Sequence, residues 1–217
     1  MENKAAAIAA TSQINYAFWK ACMRIFLFSF AMFPQITQAQ TNGLASDRSL
    51  SELNKLVQEE HYMDAVLPLS QQPALKPEVL DWLKTNAEAG YPLFQLEYSR
   101  RIWATDPQLA LQWYARGYMI RSLDLSECTD RDRNVPIILI VQIYSALRTK
   151  ALENPGKYAS ALDEAIIWEQ NRKYHPSAKW LCGPSLGDDQ TRLAARATQL
   201  RGIQESIAKL HQKSESK

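Results

Sequence analysis

The chain has 217 residues, with 25 lysines and arginines against 23 aspartates and glutamates, three cysteines and only seven glycines. This near-neutral balance supplies no global electrostatic drive toward nucleic acid or an anionic membrane. So few glycines also leave little room for a phosphate-cradling loop.

Met1 to Cys22 carries only Lys4 and Lys20 as basic residues. From Met23 the pattern changes: Arg24, an apolar run from Ile25 to Phe33, Pro34, then Thr37-Gln38-Ala39. Small residues three back and one back from a cut suit signal peptidase, so cleavage is expected between Ala39 and Gln40. The apolar run is nine residues, about half of the ~20 that a spanning helix needs. Met23 with Arg24 would itself open a compact signal peptide, so the start lies at either Met1 or Met23. The expected organisation is a leader and signal over residues 1–39, a flexible stretch over 40–48, a single helical domain over 49–211 and a polar tail over 212–217. The mature chain would be periplasmic, with 22 basic and 22 acidic residues and no integral membrane segment. No nucleic-acid partner is expected.

"LSELNKLVQEEHYMDAVLPL" opens with Ser49 or Ser51 as a cap and places Leu53, Leu56 and Val57, then Tyr62, Ala65, Val66 and Leu69, at helical spacing. "KPEVLDWLKTNAEAG" has Pro77 near its start, Leu80, Trp82 and Leu83 inside and Gly90 at its end. "PLFQLEYSRRIW" supplies Leu93, Leu96 and Tyr98, with Phe94 and Ile102 as an apolar flank. In "ATDPQLALQWYARG", Asp106 is the N-cap, Pro107 takes the first helical position and Gly117 is the stop; Leu109, Ala110, Trp113 and Tyr114 share one face. "NVPIILIVQIYSALRTKAL" contains the β-branched run Ile137 to Val141. It is expected to be helical, because Asn134 and Pro136 form a start signal and Tyr144, Leu147 and Ala151 continue the spacing too far for one strand. "NPGKYASALDEAIIWEQNRK" follows with Ala161, Leu162, Ala165, Ile166 and Trp168. The chain closes on a long helix with Leu193, Ala197, Leu200, Ile203, Ile207 and Leu210 as its apolar stripe and Arg192, Arg196, Arg201 and Lys209 as solvated charge. Trp82 and Trp113 are 31 residues apart, and Trp113 and Trp168 are 55 apart. All three are expected to pack in the core of an irregular repeat.

The expected fold is all-α: stacked helical hairpins, about eight helices, forming a short α-solenoid. Pairs of this size bury their apolar faces only by stacking.

The run "AEAGYPLFQLEYSRRIWATDPQLALQWYARG" resembles a Sel-like repeat, a relative of the tetratricopeptide repeat, at Gly90, Gln95, Leu96, Asp106, Ala110, Trp113 and Tyr114. "EEHYMDAVLPL" is similar to a tetratricopeptide turn. The chain departs from the pattern where Ala104 and Thr105 replace a glycine-containing loop and where Phe94 replaces a small residue, so superhelical regularity is not implied. The resemblance implies an exported protein-binding module with no chemistry and no cofactor of its own. Small Sel-like proteins with signal peptides resemble periplasmic immunity proteins that neutralise effectors of bacterial type VI secretion, some of them lipases. An envelope scaffold or assembly factor is the alternative.

A third class is a serine hydrolase. "GPSLG", Gly183 to Gly187, fits the nucleophile-elbow spacing with Ser185 at its centre, but that motif requires a strand-to-helix turn and a histidine base. "DRDRN", Asp130 to Asn134, mimics the start of a calcium loop, yet Val135 stands where glycine is required and Val141 where glutamate is. His61, His175 and His211 have no ligand-like spacing. The two cysteines of the mature chain, Cys128 and Cys182, are expected to be bridged in an oxidising compartment, the rival being two buried thiols. The segment "SECTDRDRN" breaks the repeat, and Asp130, Arg131, Asp132 and Arg133 within it are the candidate partner contacts.

Overall fold

The computed structural model describes residues 48–129, 135–172 and 178–215. The signal segment, the cut at Ala39 and Gln40, and the charged residues Asp130, Arg131, Asp132 and Arg133 lie outside the described residues.

Among the described residues every element is helical: α1 (Leu50–Gln58), α2 (Tyr62–Gln71), α3 (Pro77–Glu88), α4 (Pro92–Ile102), α5 (Pro107–Ser126), α6 (Val135–Glu153), α7 (Pro155–Asn171), the short α8 (Lys179–Cys182) with a 3-10 turn over Gly183–Ser185, and α9 (Asp189–Glu215). The termini carry the signals expected of them. Ser49 and Glu52 form a reciprocal capping box. Pro77, Pro92, Pro107 and Pro155 all sit in a first turn, where a missing N–H leaves no bond unmade. Asp106 and Asn154 accept from the backbone N–H of Leu109 and Lys157. Short links, Ala89–Tyr91 between α3 and α4 and Asn154 between α6 and α7, force consecutive helices antiparallel.

The hairpins stack along α4 and α5. Helix α4 packs on α2, α3, α5 and α6; α5 packs in turn on α7, α8 and α9. This makes α4 an interior helix, buried around almost its whole circumference, including Phe94 and the polar Gln95, Glu97 and Ser99. Each of these side chains makes at least one hydrogen bond, although Gln95 Oε1 has no partner among the described residues. Gln95 Nε2 donates to the Ala87 carbonyl at 3.0 Å and Ser99 Oγ to the Ala110 carbonyl at 2.7 Å. Glu97 receives Arg100 at 2.6 Å and Arg101 at 2.7 Å, and the Tyr144 hydroxyl at 3.2 Å.

Two glycines have different roles from one another. Gly90 ends α3 at φ +96°, where an L side chain is strained, and its carbonyl accepts from Arg172 at 3.0 Å. Gly117, expected to stop its helix, lies in the middle of α5, which runs on to Ser126. A Cβ there would stand 2.9 Å from both Leu96 Cγ and the Pro92 carbonyl oxygen. Its purpose is close approach of α4 and α5, so the helix tolerates the propensity cost.

The final helix also differs from expectation. Leu193 is 71% exposed, whereas Ile203 and Ile207 are buried. The inward line begins instead with Arg192 and Arg196 and continues through Ile203 and Ile207 at helical spacing. Gln212 to Glu215, expected as tail, form the last turn of α9. Trp82 and Trp113 are core residues, while Trp168 is half-buried with Arg116 and Arg172 stacked over its ring.

Candidate protein-binding face

Two regions concentrate charge or exposed apolar surface, and both flank the expected binding segment in sequence. The first lies where α5 ends. Cys128 and Cys182 are joined by a disulfide spanning 54 residues, with a Cα–Cα distance of 5.1 Å. The bridge holds α8 and the turn after it against the end of α5, and Thr129 extends the contact by donating its N–H to the Ser185 carbonyl at 2.7 Å.

Beneath this bridge is a buried ion network. Arg196 of α9 reaches Glu127 at 2.8 Å, Asp124 at 3.4 Å and Glu169 of α7. Arg192 reaches Glu127 at 3.1 Å, and Arg172 reaches Glu169 at 3.0 Å. The Trp180 indole N–H donates to Asp124 at 3.0 Å. Burial pushes the Asp124 carboxyl up to about 7, against the opposing pull of Trp180 and Arg196. The same arginines that looked like solvated charge therefore clamp α9 onto α5 and α7. The recoverable signal was the i, i+4 spacing of Arg192 and Arg196 together with the acid pair of "DLSE", Asp124 and Glu127, near the end of α5.

Ser185 does not stand in a nucleophile elbow. It ends a 3-10 turn, its hydroxyl donates to the Cys182 carbonyl at 2.8 Å, and the local pairing is an isolated bridge between Cys128 and Leu186. His211 pairs instead with Asp163 at 2.9 Å, and His61 sits at the N-cap of α2, 3.8 Å from Asp64. No group of three or more histidine, cysteine or acidic residues with metal-binding geometry occurs among the described residues.

The second region is α6. Its inward line of Ile140, Tyr144, Leu147 and Ala151 is buried against α4 and α7. The β-branched run that precedes Tyr144 is apolar on both sides, so the helix also presents Ile138 (57% exposed), Leu139, Val141 (50%) and Leu152 to solvent. Ile138, Leu139 and Val141 follow within eight residues of Arg133, so the expected charged contacts and this apolar face are neighbours along the chain. Periodicity marks this run as helical but does not show how much of it one helix can bury, so the exposed face is legible only in the fold.

No known protein family, curated protein or solved structure matches the chain. No helix among the described residues is long and apolar enough to cross a membrane.

Proposed function

We propose that the chain is an exported protein-binding module that works by association, and that its partner docks on the outward face of α6. The observation that carries this reading is the row of exposed large apolar residues, Ile138, Leu139 and Val141, on a helix whose other side is already packed. Scattered exposed apolar residues are ordinary on a protein surface, but a contiguous group on one helix end marks an interaction surface. Asp130, Arg131, Asp132 and Arg133, which precede this helix in sequence, would supply charges of both signs that favour one partner over others.

The Sel-like resemblance at Gly90, Asp106, Ala110, Trp113 and Tyr114 supports the same class of function. The finer reading is a periplasmic immunity protein that neutralises a type VI secretion effector. Its support is that resemblance together with the signal-like segment ending at Ala39.

The test is capture from the native periplasm with mature wild-type protein and with the doubly substituted Ile138→Asp, Val141→Asp protein, identified by mass spectrometry. A partner retained by the wild type and lost from the variant is the expected result. A band retained equally by both places the surface elsewhere. Sedimentation of the purified wild type separates a foreign partner from a second copy of the chain: self-association abolished by the two substitutions would make α6 a homodimer face.

A further inference from the structure

Behind the exposed row, α6 and α5 enclose a cleft of about 360 Å³. Tyr114, Tyr118 and Arg121 line it from α5; Tyr144 and Arg148 line it from α6. Across Tyr118 and Arg148 it continues into a second cleft of about 360 Å³ that reaches Lys209 of α9. Among the described residues, neither cleft has an aspartate or glutamate in its wall.

The absence of acid is unusual for this core, which otherwise neutralises its buried charge. Glu97 holds Arg100 and Arg101, and Glu169 holds Arg172 and Arg196. Arg121 forms no hydrogen bond or ion pair with any described residue, and its Nε is fully buried without an acceptor. Its guanidinium lies 5.3 Å from the centroid of the Tyr118 ring, a contact that attracts the cation while accepting none of its N–H bonds. The tyrosines cannot supply the missing negative charge. Burial pushes the Tyr114 phenol up to about 12 and raises those of Tyr158 and Tyr144, so near neutrality they are protonated and act as donors. The Tyr144 hydroxyl already donates to Glu97. A half-buried guanidinium whose Nε lacks an acceptor, set among further donors, is complementary to an oxygen anion. Leu96 and Ile140 in the same wall provide an apolar seat beside it.

We propose that this cleft is an anion-binding site for an oxyanion, a carboxylate or a phosphate monoester, carried on an apolar body, with the oxyanion on Arg121 and Arg148 and the body against Leu96 and Ile140. A guanidinium held there without a counter-ion costs the unliganded protein stability, which the bound anion restores.

Calorimetric titration of the folded chain with octanoate, octyl phosphate and neutral octanol tests the site. At least one anion should bind tenfold or more tightly than octanol, with affinity falling as salt rises. The preferred anion identifies the headgroup chemistry: octanoate an organic acid, octyl phosphate a phosphoester. Arg121→Gln should lower that affinity at least tenfold while unfolding at the same or a higher denaturant concentration than the wild type. Arg148→Gln, on the exposed side of the cleft, provides a second variant if the first fails to fold. Anion and alcohol binding with equal affinity, no anion binding at millimolar concentration, or affinities unchanged in a folded arginine variant would each overturn the proposal.

Discussion

Asp124 offers a quantitative test of the buried network. In the folded chain its carboxyl is raised from the ordinary 3.8 to about 7, chiefly by burial. Below pH 4 the folded and unfolded states both hold the proton, so the group contributes no pH dependence. Between pH 4 and 7 the folded state keeps a proton that the unfolded state releases, and stability falls as pH rises, with a limiting slope of about 1.4 kcal/mol per pH unit. Above pH 7 both states are ionised and the slope vanishes. Integrated over the window, ionisation costs of order 4 kcal/mol. Asp124→Asn keeps the shape and an oxygen acceptor for the Trp180 indole but cannot ionise. Urea denaturation of both proteins with the disulfide intact, at intervals from pH 4 to 8.5, gives the difference directly. Titrating groups remote from Asp124 cancel in it. The variant should gain on the wild type by several kcal/mol between the two ends of the range, and wild-type Trp180 fluorescence should titrate near the same midpoint. Parallel stability curves, or a wild type that gains on the variant as pH rises, would show that Arg196 keeps Asp124 ionised throughout and would refute the reasoning.

Replacing Cys128 and Cys182 with serine frees a 54-residue loop, and denaturant titration should show a loss of about 4 kcal/mol in the chain-entropy account. Gly117→Val places a side chain against Leu96 and the Pro92 carbonyl; the expected cost is about 2 kcal/mol from overpacking, and a thermal midpoint equal to the wild type would mean that α4 and α5 are not in close contact. Ile138→Asp with Val141→Asp should leave stability within about 0.5 kcal/mol of wild type because both side chains already face solvent, and a large loss of stability would show that α6 packs by its outer face. Neutralising Asp130, Arg131, Asp132 and Arg133 together should weaken partner capture at least tenfold, equivalent to about 1.4 kcal/mol, while leaving the unfolding midpoint near that of the wild type.

Local chemistry determined the helices and most of their ends. Ser49 with Glu52, Asp106 with Pro107, and Asn154 with Pro155 fulfil donors that any helix start leaves open, so their geometry could be read without knowing what the helix touches. The same holds for Gly90, where the chain needs a positive φ, and the expected pairing of Cys128 with Cys182 is present in the fold. Tertiary packing decided what periodicity leaves ambiguous. Gly117 has the composition of a stop, and only the approach of Pro92 and Leu96 turns it into a crossing point. In α9 the apolar positions pointed to Leu193 and Ala197, yet the helix is rotated so that Arg192 and Arg196 face inward, because the surface it meets carries Asp124, Glu127 and Glu169. A residue's side chain shows whether it tolerates burial, but not which residues from distant helices will neutralise or displace it. For that reason the clamped arginines, the uncompensated Arg121 and the exposed half of α6 became visible only once α5, α6, α7 and α9 had been brought together.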